Sequence, residues 1–255
     1  MDKRIGAQLY TLRDFCKTAE DLDSTFAKLK EIGYQAVQVS GIGPIPAEAV
    51  KETADRYGLS IVCTHRAYTE FTEELPQLIN AHRVMDCKIA GIGGLPMEFR
   101  SGAEAVKKFI EAINPVCKKL KAEGMQFAYH NHAFEFAKAD GKYLMDHLLE
   151  NTDPDEFKFI VDVYWLAFAG INPAEFIEKL GSRVAAVHFK DLAVTSANEV
   201  LMAEVMEGNL DWDKIIAASE KSGAQYALVE QDICQRNPFE SMKISYDNLR
   251  GKGFC

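Results

Sequence analysis

The sequence has few features of a membrane or nucleic-acid-binding protein. No stretch approaches the roughly 18 consecutive apolar residues that a membrane span needs, and no basic run interleaved with aromatic residues is present. The formal net charge is −9 and the sequence pI is about 5.3. Phosphate backbones attract basic surfaces, so we expect neither a nucleic acid nor a membrane as partner.

The chain also has no C-x-x-C pair. Its six thiols are scattered, at Cys16, Cys63, Cys87, Cys117, Cys234 and Cys255. The N-terminal residues 1–5 lead directly into a strand and contain no apolar signal region. Scattered thiols without a signal region indicate a reducing compartment rather than a disulfide framework. We therefore expect a cytoplasmic protein.

A regular alternation of strand and helix patterns runs along the chain. Short apolar runs predict strands at residues 4–12, 34–40, 59–65, 88–94, 125–131, 157–163, 184–190 and 225–231. Helical spacing of apolar residues predicts helices at 18–32, 46–57, 74–85, 103–123, 142–150, 173–180, 211–222 and 238–249. Several of these helices end at a glycine, and Asn172 followed by Pro173 has the form of an N-cap with proline at the first helical position. Residues 192–210 form a longer connection.

Eight strand–helix units in 255 residues predict a (β/α)8 TIM barrel as one domain, residues 1–255. The strands are continuously apolar rather than alternating, which is typical of parallel strands buried on both faces. An open doubly wound sheet is the alternative. It is weakened because no strand is followed by a G-x-G-x-x-G turn into a helix.

Polar side chains occur where most of the predicted strands end. Because TIM barrels carry their chemistry at the carboxyl ends of the strands, these residues are the candidate site. They are Gln8, His65, His130, His132, Glu135, Asp162, Trp165, His188, Lys190 and Glu230. A polar residue inside an apolar run is costly unless it has a partner. Each could be a satisfied core residue by itself, but their convergence on one rim favours a functional site.

Imidazole and carboxylate are ligand types for a borderline divalent metal. Asp162, His188 and Glu230 occupy equivalent places on three successive strands, which predicts that they share one ion. Glu135 lies beyond its strand, in a turn, and His130 could take its ligand position instead. Lys190 shares a face with His188 and could bind a substrate oxygen or form a Schiff base.

These residues resemble those of the sugar phosphate isomerase/epimerase superfamily with a xylose isomerase-like TIM barrel. The resemblance covers essentially the whole chain and rests on the segments GAQLYTLRD, YHNHAFEF, VDVYW, VHFKD, EGNLDW and LVEQD. It implies one divalent ion, with Mn²⁺ the first choice and Zn²⁺, Co²⁺ or Mg²⁺ as alternatives. The implied metal ligands are Glu135, Asp162, His188 and Glu230. In many relatives the first glutamate lies within strand five, near the place that His130 occupies here.

The resemblance also implies an activity, namely isomerisation or epimerisation of a sugar-like polyol through an enediolate. Glu135, Glu230 and His132 are then the candidate catalytic residues. The candidate substrate-binding residues are Gln8, His65, His130, Trp165 and Lys190. Two alternatives remain: a metal-dependent lyase or dehydratase acting on a keto-sugar, keto-glycoside or inosose, and a non-catalytic sugar-binding barrel. The expected partner is a small-molecule carbohydrate, and homo-oligomerisation is left open.

Overall fold

The chain forms twelve strands and ten α-helices in the computed structural model, which describes residues 1–255. The strands are β1 (Ile5–Gln8), β2 (Ala36–Val39), β3 (Ser60–Arg66), β4 (Ile89–Ile92), β5 (Gln126–His130), β6 (Lys138–Ala139), β7 (Lys142–Tyr143), β8 (Phe157–Asp162), β9 (Val184–Phe189), β10 (Asp191–Val194), β11 (Val200–Ala203) and β12 (Tyr226–Val229). The helices are α1 (Ala19–Ile32), α2 (Ala47–Tyr57), α3 (Tyr68–Thr72), α4 (Leu75–Val84), α5 (Ala103–Ala122), α6 (Leu144–Glu150), α7 (Val163–Phe168), α8 (Pro173–Leu180), α9 (Trp212–Ser222) and α10 (Pro238–Arg250). Short 3₁₀ helices cover Leu9–Phe15, Met97–Phe99, Phe134–Phe136 and Gly181–Arg183.

Eight of the strands close into a parallel barrel with the order β1-β12-β9-β8-β5-β4-β3-β2. Helices connect these strands, so the predicted TIM barrel is confirmed. The other four strands form two antiparallel pairs, β6 with β7 and β10 with β11. None of the ten helices has the length and apolar character needed to cross a membrane.

The helix boundaries follow local capping chemistry. Thr18 begins α1, because its hydroxyl accepts a hydrogen bond from the Asp21 N–H at 3.1 Å. The Asp21 carboxylate accepts the Thr18 N–H in return at 3.0 Å, which completes a capping box. Gly33 ends the helix with φ +122°, a conformation that a side chain would strain. The predicted N-cap at Asn172 is also confirmed, since its side-chain oxygen accepts the N–H groups of Ala174 and Glu175.

Three predicted elements differ from the structure. The strand expected at 4–12 ends at Gln8, because the Gln8 side chain accepts the Tyr10 N–H at 3.2 Å and begins a 3₁₀ helix. The strand expected at 157–163 ends at Asp162, whose carboxylate caps the unpredicted helix α7. The connection expected at 192–210 contains the β10–β11 hairpin.

The loop after this hairpin is organised by Asp191, which is fully buried. Its carboxylate accepts the backbone N–H of Met206 at 2.9 Å, of Gly208 at 3.1 Å and of Leu210 at 3.3 Å, together with the Trp212 indole N–H at 2.5 Å. A Cβ at Gly208 would lie 2.5 Å from an Asp191 oxygen, so only glycine fits there. The VHFKD and EGNLDW segments therefore meet to fix a loop beside the barrel mouth.

A small apolar cluster lies inside the barrel, next to a layer of polar residues. Six of its members each lie two residues before a polar residue that is on the same strand or, for Glu230, directly after it: Ala36, Cys63, Ala128, Ile160, Ala186 and Leu228. Residues two apart on a strand share one face, so the polar residues form the next layer of the barrel interior. They are Gln38, His65, His130, Asp162, His188 and Glu230.

Candidate metal centre

Four side chains of this polar layer bring their ligand atoms together. One atom each from His130, Asp162, His188 and Glu230 lies within 4.8 Å of all the others, and all four residues are buried. His130 Nε2 is 3.3 Å from Asp162 Oδ2. His188 Nδ1 is 2.9 Å from Glu230 Oε2 and 3.8 Å from Asp162 Oδ2. The predicted convergence of Asp162, His188 and Glu230 is thus present in the fold.

This donor set fits a divalent transition-metal ion. Two imidazoles and two carboxylates are ligands that Mn²⁺, Zn²⁺ and related ions accept. The other ring nitrogen of His188, Nε2, is 2.7 Å from Gln38 Oε1 and donates its hydrogen there. That bond leaves the Nδ1 lone pair facing two carboxylates, a repulsive arrangement unless a proton or a cation lies between them. Such outer-sphere support of a ligating histidine is the usual pattern at metal sites.

The charges around His188 and Lys190 also favour the binding of a cation. Burial by itself would lower the pKa of His188, but the Glu230 and Asp162 carboxylates outweigh burial and raise it to about 9. Lys190 lies 3.4 Å from both Asp162 Oδ2 and Glu230 Oε2 and 2.5 Å from Asp232 Oδ2. Three carboxylates therefore face one ammonium, which leaves two negative charges, one of them offset by the proton that His188 holds at pH 7 in the metal-free protein. A divalent ion would balance them.

Glu135, the predicted first ligand, lies outside this group. Its side chain is fully buried, and its two oxygens accept the Tyr129 hydroxyl at 2.7 Å and the His132 N–H at 2.8 Å. Both oxygens are thus engaged within the turn that follows β5. The alternative of the sequence analysis, His130, is the residue that joins Asp162, His188 and Glu230.

Asp162 is held in place from two directions. Its backbone N–H donates to the Asn131 side-chain oxygen at 3.0 Å, and the Asn131 amide donates to the Asp162 carbonyl at 3.4 Å. Its Oδ1 accepts the Trp165 N–H at 3.1 Å, as the N-cap of α7. Oδ2 is left to face His130, His188 and Lys190. One carboxylate therefore ends a strand, starts a helix and contributes to the buried group.

Lys190 is almost completely buried beneath two aromatic rings. Its ammonium lies 5.0 Å from the centre of the Trp165 ring and 5.5 Å from that of Tyr164. Burial opposes its charge, but Asp162, Glu230 and Asp232 together raise its pKa above the ordinary value. A permanently charged ammonium has no lone pair for Schiff-base chemistry. Lys190 acts as an internal counter-ion in this state.

Four of the six histidines of the chain pack together above the apolar cluster. The ring centre of His130 lies 4.9 Å from that of His65, 4.7 Å from that of His132 and 4.6 Å from that of His188. Burial, followed by the charge of His130, lowers the pKa of His132 to about 3, and the same causes lower that of His65 well below its usual value. His65 and His132 are therefore neutral at pH 7.

A cavity of about 560 Å³ opens above the buried group. Of the predicted substrate-binding residues, His65, His130 and Trp165 line it, together with His132 and Glu230. Gln8 and Lys190 lie outside the lining, and Gln8 places its amide nitrogen 3.5 Å from His65 Nδ1. Four lining residues carry a buried polar atom without a partner: His65 Nε2, Arg66 Nε, His132 Nδ1 and Trp165 Nε1. Unpartnered polar atoms at a cavity wall are typical of a site for a polar ligand.

Several residues of the site were not predicted. Gln38 and Asn131 orient His188 and Asp162, whereas Tyr10, Arg13 and Asp232 line the cavity. Gln38 had a readable signal, because it is a polar residue within the apolar strand Ala-Val-Gln-Val. Asn131 stands between two histidines, and Asp232 lies two residues beyond Glu230. Tyr10 and Arg13 lie near the end of the first predicted strand, where the structure has a 3₁₀ helix instead, and the sequence pattern assigned neither of them a role.

Comparisons with known proteins agree with this architecture. The family described as "Xylose isomerase-like TIM barrel" matches residues 26–245. The inosose dehydratase of Lacticaseibacillus casei is 28% identical over 139 residues, which cover 48% of this chain and 46% of that protein. The matched segment thus spans about half the length of that relative. The rhizopine catabolism protein MocC of Rhizobium meliloti is 23% identical over 264 residues, covering 89% of this chain and 80% of that protein.

A solved structure shares the whole architecture. It is a sugar phosphate isomerase/epimerase from Parabacteroides distasonis ATCC 8503, with a TM-score of 0.82 and 23% sequence identity. The alignment covers 100% of this chain and 96% of that one. At this level of identity the likeness concerns the fold.

Proposed function

Because the chain belongs to the xylose isomerase-like TIM-barrel family, we propose that it is a metal-dependent, sugar-modifying enzyme. The proposed reaction removes a carbon-bound proton next to the carbonyl of a cyclic or open-chain polyol. The observation that carries the proposal is the buried group of His130, Asp162, His188 and Glu230 at the floor of a polar cavity. Relatives named as dehydratases and as isomerases or epimerases both fit this first step.

His130, Asp162, His188 and Glu230 would hold the ion, with Mn²⁺ as the first choice. A bound divalent ion supplies Lewis-acid stabilisation for the negative charge that develops on the substrate oxygens. Gln38 keeps His188 in the tautomer that offers Nδ1, and Lys190 prevents the surrounding carboxylates from repelling one another.

Two side chains are placed to handle the proton. Glu230 and His132 both line the cavity, and His132 is a neutral imidazole that can exchange a proton with a bound ligand. Glu135, the third candidate of the sequence analysis, has both oxygens bound inside the turn. We therefore assign it the role of holding His132 in position. His65 and Trp165 line the cavity and would contact the substrate there.

The enediolate formed by proton removal has three outcomes. Return of the proton to the other face gives epimerisation, and return to the neighbouring carbon gives isomerisation. Loss of a β-hydroxyl or β-linked group gives dehydration or elimination, the reaction class named for the inosose dehydratases. The lyase alternative is therefore proposed on an equal footing with isomerisation and epimerisation.

Solvent deuterium exchange tests the shared step whatever the outcome. The Mn²⁺-loaded protein would be incubated in D₂O with inososes, ketohexoses and 3-keto-glucose, and the sugars analysed by mass spectrometry. We expect one deuterium to enter at least one of these compounds, and Glu230→Gln to abolish its entry. The exposed Glu220→Gln in α9 is the matched control and should exchange like the wild type. Absence of exchange in all of them, with the ion bound, contradicts the proposal.

A further inference from the structure

The cavity has two chemically different halves. We call the part lined by the buried His130 and Glu230 the deep half, and the part lined by the exposed Tyr10 and Ile233, with the half-buried Arg13, the outer half. Its volume of about 560 Å³ lies within the range of about 300–1,000 Å³ that is usual for drug-sized ligands. A single sugar ring is smaller than such a ligand. The cavity therefore offers more space than one sugar ring fills.

The outer half contains apolar surface that is unusually exposed. Only seven large hydrophobic side chains of the chain are strongly exposed: Tyr10, Phe15, Met97, Phe168, Val194, Val200 and Ile233. Two of them line the cavity, with Tyr10 39% and Ile233 63% exposed. Exposed apolar side chains gathered at the mouth of a polar cavity are typical of a surface that a ligand covers.

The cavity continues past this outer half. A second cavity of about 310 Å³ shares Arg13, Asp232 and Ile233 with the first, and Phe15 lines its far side. Phe15 is itself 38% exposed. Three of the seven exposed hydrophobic residues therefore lie along one path that leads outward from the buried group. A substituent on the bound sugar would follow this path.

Arg13 gives the outer half a flat cationic surface. Its guanidinium lies 4.5 Å from the centre of the Tyr10 ring. It donates to the carbonyl oxygens of Tyr10 at 2.8 Å and Asp232 at 3.0 Å, and no carboxylate lies within ion-pair distance of it. A guanidinium fixed against an aromatic ring presents a planar surface that can stack on another ring and donate to its hydroxyl groups.

We infer that the substrate is a glycoside, in which the reacting sugar carries a second ring that binds against Tyr10, Arg13 and Ile233. This inference rests on the proposed function, because the deep half must hold the reacting sugar. It specifies the class of substrate, which the four candidate metal ligands do not determine. The second ring is an aryl group or another sugar, both of which offer a flat face to Tyr10.

Equilibrium binding to the Mn²⁺-loaded protein tests the inference. The probes are 3-keto-glucose, its phenyl β-glycoside and the corresponding keto-disaccharide, each titrated calorimetrically. We expect at least one of the two ring-bearing probes to bind about ten-fold more tightly than the free keto-sugar. Tyr10→Ala and Ile233→Ser should reduce this ratio toward one. Met97→Ser, which removes an exposed side chain outside the cavity lining, should leave the ratio at its wild-type value.

The possible results distinguish failure of this inference from failure of the proposed function. Equal affinity for the free keto-sugar and both ring-bearing probes would overturn the inference and leave the proposed function standing. A preference that persists in both Tyr10→Ala and Ile233→Ser would also overturn it, because the second ring would then bind elsewhere. Failure of every probe to bind would overturn the inference, whereas the proposed function is judged separately by deuterium exchange into inososes and ketohexoses.

Discussion

Gln38 Oε1 lies 2.7 Å from His188 Nε2, across the interior of the barrel from one strand to another. This bond fixes the histidine tautomer and turns its other nitrogen toward Asp162 and Glu230. The amide nitrogen of Gln38 has no partner of its own. Gln38 therefore acts through its side-chain oxygen alone, which orients His188 so that Nδ1 can bind a proton or a metal ion.

Replacing Gln38 by leucine should weaken binding of the ion without removing its ligands. Loss of a hydrogen bond that orients a ligating histidine typically lowers metal affinity about 10–100-fold. Competition with a chelator of known affinity would measure the change in Mn²⁺ or Zn²⁺ binding. The control is Gln126→Leu, which alters a glutamine that pairs with Gln225 at the amino end of β5. Equal affinities in the two variants would show that Gln38 has no role in metal binding.

Lys190 should be essential for the stability of the metal-free protein. Lys190→Met would remove the ammonium that faces Asp162, Glu230 and Asp232 together, and breaking a buried ion pair costs about 3–5 kcal/mol. Urea unfolding at pH 7 in the presence of a chelator would measure the loss. Lys179→Met is the control, because the Lys179 pair with Asp146 is exposed and should contribute under about 1 kcal/mol. Similar losses in both variants would contradict the assigned role.

The raised pKa of Glu135 predicts that the stability of the protein depends on pH. Burial raises its pKa from the ordinary value of about 4.5 to about 7, although the Tyr129 hydroxyl and the His132 N–H oppose the shift. Between pH 4.5 and pH 7 the Glu135 carboxyl therefore binds a proton more tightly in the folded protein than in the unfolded chain. The stability that the protonated Glu135 side chain contributes is therefore present at low pH and is lost as the pH rises from 4.5 through 7.

The size of that dependence can be isolated with Glu135→Gln, which mimics the protonated side chain. Relative to this variant, the wild type should lose about 3 kcal/mol of unfolding free energy between pH 4.5 and 7.5, at about 1.4 kcal/mol per pKa unit. Urea unfolding of both proteins across this range gives the difference directly. Parallel stability profiles would mean that Glu135 is ionised without cost in the fold.

Three members of the buried group could be predicted from the sequence for a simple reason. Asp162 and His188 lie at the ends of apolar strands and Glu230 directly follows one, and parallel strands of a barrel bring such positions to one rim. The barrel itself followed from the same strand–helix alternation. Neither inference needed knowledge of side-chain orientation.

For the fourth member the sequence left Glu135 and His130 as alternatives, and the choice between them required the structure. The segment after β5 turns into a 3₁₀ helix at Phe134–Phe136, which directs Glu135 back to Tyr129 and away from Asp162. Spacing along the chain does not distinguish such a turn from a continued strand. The same difficulty applied to Leu9–Phe15, where buried Leu9 and Leu12 produce a strand-like pattern in a 3₁₀ helix. Tyr10 and Arg13, near the end of that predicted strand, lie in this 3₁₀ helix.

Metal content of the purified protein, measured by mass spectrometry after Mn²⁺ loading and removal of free ion, tests the central claim most directly. We predict about one ion per chain in the wild type and in Glu135→Gln. The ion should be lost in His130→Gln and in the Asp162→Asn/His188→Gln double variant. Retention in these two variants, or loss in Glu135→Gln with His130→Gln unaffected, would contradict the assignment of His130, Asp162, His188 and Glu230 as the metal-binding group.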